Sequence, residues 1–286
     1  MNAVNLALRL TLLEILLRPI GNWFLQPIFL GIAALGVALP RQIRWLPLWI
    51  ALFVLAALRV LLNWPMADNH AYLLCYWCLA VSLALVSRDP PLCLALNGRL
   101  LIGWAFAFAT LWKVLSPDYL DGRFFRVTLL TDQRLAGFVQ LVGGLTPDVL
   151  ESLREVLTQH VDGQAFTVLT TPAEPTRFLW LAHGMTWWTV ILEGAIAVAF
   201  LWFVNQGISK VRDVLLITFC VTTYAVTPVE GFGWLLIAMG VAQCDPARRK
   251  TRLGYLAVFG LILFYREVPW VEWLSTRSLE VTSPPW

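Results

Sequence analysis

Apolar runs separated by short polar or proline-bearing breaks recur along the chain. The first, Asn5 to Ile20, is interrupted by Arg9, Glu14 and Arg18. It reads either as a weakly apolar span or as an interfacial helix. Phe24–Leu39, Leu46–Leu62, Ala71–Val86 and Leu100–Leu115 each approach the length that crosses a bilayer. A polar stretch from Ser116 to Arg177 follows. After it come Phe178–Val204, Val214–Val226, Gly231–Val241 and Leu253–Phe264. Pro228, Gly231 and Gly233 interrupt what would otherwise be one long helix, which predicts a tight helical hairpin. The pattern predicts an all-α integral membrane protein, a polytopic helical bundle of about eight or nine spans.

Four segments follow from this reading. Residues 1–115 hold the N-terminal membrane helices, and 116–177 form an extracytoplasmic loop with an amphipathic helix over 147–159. Residues 178–266 hold the C-terminal membrane helices, and 267–286 form a short outer tail. In the loop, Thr146-Pro147-Asp148 ahead of Val149, Leu150, Leu153 and Leu157 is a helix start followed by an apolar stripe. Leu129–Leu145 is apolar enough to lie on the bilayer surface or to cover the mouth of the bundle. Thr170–Thr176, with Pro172 and Pro175, reads as a linker.

Composition agrees with a lipid solvent. Of the 286 residues 59% are hydrophobic and 14% charged, and the mean hydropathy is +0.70. Soluble domains average about 45–50% apolar and about 25% charged. A net charge of +3 is too small to suggest nucleic acid. Trp23, Trp45, Trp64, Trp112, Trp180, Trp270 and Trp273 fall near predicted span ends, where an amphipathic ring favours the interface. Trp77, Trp104, Trp188 and Trp202 fall deeper, where bundle packing is expected. The N-terminal stretch lacks a basic lead and a small-residue cleavage site, so it is not expected to be a cleaved signal.

Lys and Arg orient the bundle. Arg41 with Arg44, Arg88, Lys210 with Arg212, and Arg248, Arg249, Lys250 with Arg252 all fall in loops on one side. The positive-inside rule makes that side cytoplasmic, with a bacterial inner or intracytoplasmic membrane as the default. Asn63–His70 and the long loop then face outward.

Ionisable groups at membrane depth are costly and mark candidate sites. Arg59, His70, Lys113 and Glu193 are the four that matter most. His70 begins one span and Lys113 nearly ends another, which puts both near the outer face. A lysine in an apolar pocket can serve as a base, with a histidine to hydrogen-bond the reacting group. The bland alternative is that Lys113 snorkels to the headgroups and His70 caps a helix. Glu193 needs a partner, for which Arg59 is one candidate. Cys75-Tyr76-Trp77-Cys78 places two thiols one helical turn apart, where packing is the expected role. There is no nucleotide loop, zinc pattern or hydrolase elbow.

Two segments carry a resemblance. Asp68-Asn69-His70-Ala71-Tyr72-Leu73 resembles the Asn-Asn-His-x-Tyr-Leu segment of the vitamin K-dependent gamma-carboxylase family. Trp112-Lys113-Val114-Leu115-Ser116-Pro117-Asp118-Tyr119-Leu120-Asp121-Gly122 resembles its Lys-Leu-x-x-Asp-Trp-x-x-Gly segment, which recurs in the wider group of HTTM membrane domains that includes SdpB-type proteins. Phe29–Gly36 looks like the family's second span, and His183-Gly184 is similar to a His-Gly pair at the start of a later one. The resemblance implies that Lys113 takes a proton from a quinol and that His70 belongs to the same active site. It further implies that Asn69, Tyr72, Trp112 and His183 line the ligand, which would be a quinol, another isoprenoid or a pigment. The family's later histidine-bearing span reads Phe219-Cys220-Val221-Thr222-Thr223-Tyr224 here, without histidine. Only Pro269–Trp286 follows the last span, where the carboxylases carry a large lumenal domain.

Two functions are therefore expected. One is a non-catalytic or accessory subunit of a larger membrane assembly that binds lipid, quinone or pigment. The other is a quinol-dependent carboxylase-like or peptide-maturation enzyme with Lys113 as base. Partners are the lipid bilayer and other membrane proteins rather than nucleic acid. A transporter is a distant third, since no inverted repeat is visible.

Overall fold

The structure, a computed structural model, describes residues 2–18, 20–161, 174–202, 208–226, 230–245, 247–268, 270–271 and 274. Among these residues it is all-helical. The helices are α1 (Ala3–Leu17), α2 (Gln26–Ala38), α3 (Leu46–Leu62), α4 (Asn69–Val86), α5 (Pro90–Leu115), α6 (Pro117–Leu120), α7 (Arg123–Thr131), α8 (Ala136–Phe138), α9 (Pro147–Val161), α10 (Thr176–Leu201), α11 (Ile208–Tyr224), α12 (Glu230–Gln243) and α13 (Arg249–Glu267).

Local chemistry sets many of the boundaries. The Asn2 side chain accepts from the Val4 N–H and caps α1. Prolines at the starts of α2 and α3 occupy positions whose N–H would have no helical partner anyway. At α5, Asp89 accepts from the Leu92 N–H, and Pro90-Pro91 opens the helix. That start lies ten residues before the expected Leu100 and takes the polar Asn97 and Arg99 into the helix. Both are satisfied inside the fold. Asn97 donates to the Cys93 carbonyl at 2.8 Å, and Arg99 Nε donates to the Phe200 carbonyl at 2.6 Å.

The chain divides into two compact units. The first comprises residues 1–108, 194–224 and 229–263. In it α1 packs on α2 and α12, α3 packs on α2 and α4, and α12 also meets α4 and α11. α12 is the core of this unit, with Trp234 to Met239 buried without exception. A helix that is apolar all round is stable only when enclosed. Gly98 of α5 lets the chain approach the α12 backbone. A Cβ there would stand 3.1 Å from the Met239 carbonyl oxygen. Residues 227–229, where the hairpin turn is expected, lie outside the described residues, but α11 and α12 on either side do pack together.

Several buried polar groups in this unit find partners, most of them on another helix. Trp77 Nε1 donates to Thr11 Oγ1 at 2.8 Å, which ties α4 to α1. Trp49 donates to the Ile43 carbonyl, and Trp234 to the Phe259 carbonyl. Asp213 Oδ1 accepts from Gln243 Nε2 at 2.6 Å and from the Tyr255 hydroxyl at 2.9 Å, which joins α11, α12 and α13. Arg212, expected in a basic loop with Lys210, lies within α11 beside Asp213. Arg249, Lys250 and Arg252 begin α13 rather than a loop. Cys75 and Cys78 are free thiols, the second buried.

The second unit comprises residues 109–193, 225–228 and 264–286. Its core joins Leu129, Leu130, Leu135, Val139 and Leu145 to Leu150 and Leu153 of α9 and to Phe178 and Ala182 of α10. Leu129–Leu145 thus contributes to a packed core. Its apolar side chains close a core of their own, because the apolar stripe of α9 and the start of α10 offer them cover. Of the expected linker, residues 170–173 lie outside the described residues.

Three described helices, α4, α5 and α10, are long and apolar enough to cross a membrane, and α2, α3 and Gly231–Gln243 are apolar but shorter. α5 is notable for how little of it is covered: only 28% of its most apolar window is buried. Trp104, Phe108, Leu111, Trp112 and Leu115 stand exposed along it, as do Trp180, Trp187, Trp188, Ile191 and Val198 along α10. Of the four tryptophans expected in bundle packing, Trp77 alone is enclosed. Trp104 of α5, Trp188 of α10 and Trp202 just past the end of α10 are about half exposed.

Candidate functional site

The motif from Trp112 to Gly122 folds into a compact turn in the second unit. Pro117 ends the run of α5 and opens the single turn of α6. Gly122 then adopts φ +83°, a left-handed conformation that side chains resist, and starts α7. A Cβ at Gly122 would meet His183 Nδ1 at 2.9 Å, so the turn closes directly onto α10.

Two side chains of this turn dock on one face of α10. Lys113 Nζ pairs with Glu193 Oε2, the two side chains being 14% and 9% exposed. One turn earlier on α10, Thr189 Oγ1 lies 2.7 Å from the Tyr119 hydroxyl. Thr189 Oγ1 also lies 3.0 Å from the Met185 carbonyl and 2.9 Å from the Thr186 carbonyl, so its proton has three acceptors within reach. Burial pushes the Tyr119 phenol well above its usual range, and the Thr189 hydrogen bond only partly offsets this. Tyr119 is thus a neutral phenol at ordinary pH. Its ring stacks on Phe124 at 5.0 Å, meets Trp112 edge-on at 6.2 Å and lies 5.4 Å from the Lys113 ammonium.

Beside this pair Asp121, Gly122, Arg123, Arg126, Leu179, Ala182 and His183 line a cavity of about 200 Å³. Its arginines are already engaged. Arg123 bridges Asp118 at 3.0 Å and Asp121 at 2.8 Å, and Arg126 pairs with Glu174 at 2.6 Å. Sites for small organic ligands usually span about 300–1,000 Å³ and are mostly apolar. This cavity is smaller and ringed by ion pairs, so it does not fit a quinol. Among the described residues no group of three or more His, Cys, Asp or Glu could hold a metal ion.

Three of the residues singled out in the sequence, Trp112, Lys113 and His183, thus share the second unit. Trp112 is exposed, and His183 lines the cavity. The other three, Asn69, His70 and Tyr72, begin α4 in the first unit. Asn69 is exposed, Tyr72 half-buried and His70 buried. His70 sits with Asp68, Arg59 of α3, Glu14 of α1 and Arg18 just past the end of α1. Glu193 is paired with Lys113, not with the expected Arg59, because α10 brings its Thr189–Glu193 face against the Lys113–Tyr119 turn. Sequence reasoning missed Tyr119, Thr189, Glu14 and Arg18 as site residues. The signal available was spacing: Thr189–Glu193 and Glu14–Arg18 are both four apart, hence on one helix face.

Comparison of the chain with known protein families, with curated proteins and with solved structures finds no match.

Proposed function

We propose that the protein is an HTTM-like, polytopic integral membrane protein, a non-catalytic accessory subunit of a larger membrane assembly. Its exposed apolar faces hold partner helices, lipid, quinone or pigment, and its basic loops face the cytoplasm. The observation that carries the reading is the pair of faces on α5 and α10, long enough to cross a bilayer, rich in tryptophan and uncovered. Soluble monomers rarely expose large contiguous apolar patches, whereas lipid or partner helices cover them. The state of Lys113 also supports a non-catalytic role. A lysine that serves as a base must offer a lone pair to substrate. Here its Nζ is aimed at the Glu193 carboxylate.

The test is gentle purification of the tagged protein from native membranes at native expression, with mass spectrometry of the proteins and small molecules that accompany it. Other membrane proteins in fixed stoichiometry are expected, with no ligand that depends on Lys113. A lone monomer that carries a quinone, lost in Lys113→Ala, would overturn the reading in favour of a quinol-dependent enzyme.

A further inference from the structure

The cluster around His70 contains a set of buried polar atoms that the protein itself does not satisfy. Glu14, 2% exposed, leaves Oε2 without a hydrogen-bond partner. Arg18 and Arg59 are half-buried, and each leaves a buried Nη1 in the same state. His70, 8% exposed, does so at Nε2, which lies 3.5 Å from the Asp68 carboxylate without bonding it. The groups come from three helices and act on one another electrostatically: Glu14 with Arg18 and Arg59, and His70 with Arg18, Asp68 and Arg59. Arg18 also lies against α12, where a Cβ on Gly231 would collide with its Nη1. Asp68, the remaining charged neighbour, is 64% exposed and open to solvent screening.

Buried donors and acceptors are almost always bonded, so several left over in one place point to a group that completes them. The chemistry of that group can be read from the leftovers. Two guanidinium N–H groups and an imidazole nitrogen ask for several oxygen acceptors on one centre, and guanidinium forks match phosphate. The Glu14 oxygen is an acceptor and asks for a hydroxyl. The two guanidinium groups outnumber the one buried carboxyl, so the site favours an anion.

We propose that Glu14, Arg18, Arg59 and His70 form a binding site for a phosphate group that carries or adjoins a hydroxyl. Two sources supply this chemistry: the headgroup of an anionic phospholipid such as phosphatidylglycerol, and free inorganic phosphate. The lipid source rests on the membrane reading above, and the free-phosphate source does not.

The experiment uses the full-length, delipidated chain in neutral detergent. Thermal unfolding is followed by tryptophan fluorescence with added phosphatidylglycerol, phosphatidylcholine or inorganic phosphate at matched ionic strength. Retained lipid is identified by native mass spectrometry. Phosphatidylglycerol or phosphate is expected to raise the melting temperature where phosphatidylcholine does not. Arg59→Gln and Arg18→Gln should each weaken binding at least about tenfold, as loss of a charged hydrogen bond does. Arg59→Lys should recover part of it, and Arg249→Gln on the exposed basic stretch should change nothing. A response to phosphate alone supports the site with the free anion as its source.

Equal binding of phosphatidylcholine, full binding by both glutamine variants, or no response to either anion would overturn the proposal. If the glutamine variants do not fold, the headgroup selectivity of the wild type and the Arg59→Lys titration decide. Resistance of the native protein to alkaline extraction from membranes tests the membrane reading separately. A chain that is extracted yet binds phosphate refutes that reading and keeps the site.

Discussion

Replacing Lys113 and Glu193 singly and together would measure what the ion pair contributes. Both side chains are largely withdrawn from solvent, at 14% and 9% exposure. Two unit charges about 4 Å apart interact by about 4 kcal/mol at an effective dielectric of about 20. Removing one partner leaves the other buried and unpaired, which typically costs about 3–5 kcal/mol. Lys113→Met and Glu193→Gln should therefore each destabilise the second unit by about that much. The double variant should cost far less than their sum, with a coupling above about 2 kcal/mol. An ordinary inter-helix hydrogen bond in a membrane couples by only about 0.6 kcal/mol on average and about 1.7 at most. The assay is unfolding in mixed micelles titrated with dodecyl sulfate, followed by tryptophan fluorescence. Single costs below about 1 kcal/mol that simply add would refute the argument. They would mean that Lys113 reaches water and is free to act as a base.

The Thr11–Trp77 bond is isolated enough to test alone. Thr11→Val should cost about 1–3 kcal/mol by orphaning the indole N–H, while Thr11→Ser should unfold close to the wild type. Gly122→Ala should cost at least about 1–2 kcal/mol from its left-handed backbone, and His183→Ala in the same chain should relieve only the added collision. In a spectrophotometric titration of the six tyrosines, the wild type minus Tyr119→Phe should show no phenolate signal at about pH 11. The sign follows from the raised value. The buried neutral phenol adds stability that is whole below the unfolded value of about 10 and is lost as pH rises through the folded one. An ordinary titration midpoint would show that Tyr119 is not enclosed. Arg126→Gln, which breaks a partly exposed pair with Glu174, should cost under about 1 kcal/mol, and less in high salt.

Helix existence was legible because apolar length is a strong signal, and Leu46–Leu62 emerges with the bounds its hydropathy implied. The early start of α5 was not legible. Asn97 and Arg99 are polar by type, and only the fold supplies the carbonyls that accept from them. Leu129–Leu145 was visibly apolar, but whether such a segment faces lipid or its own neighbours depends on where α9 and α10 stand. Lys113 and His183 were nominated separately, and the fold sets Lys113 beside Tyr119 and His183 beside Gly122. The partner of Glu193 was beyond reach because a lone carboxylate in a span says only that it needs a cation, not which helix supplies one. Arg18 looked like an interruption of a weak span, and its burial against Gly231 depends on a helix more than two hundred residues away in the chain, a separation of the kind that local pattern cannot register.

That distant neighbour has a consequence for biogenesis. α1 is synthesised more than two hundred residues before α12, yet α12 covers it and also provides the core against which α4 and α11 rest. Until α12 is synthesised, the nascent chain must carry α1 with Glu14 and Arg18 uncovered, and contacts that close so late in sequence form slowly. A message truncated anywhere before Glu230 would yield a polypeptide that lacks the α12 keystone. Such a product should be a preferred substrate for cellular proteases, whereas loss of residues after α13 should be tolerated by the first unit.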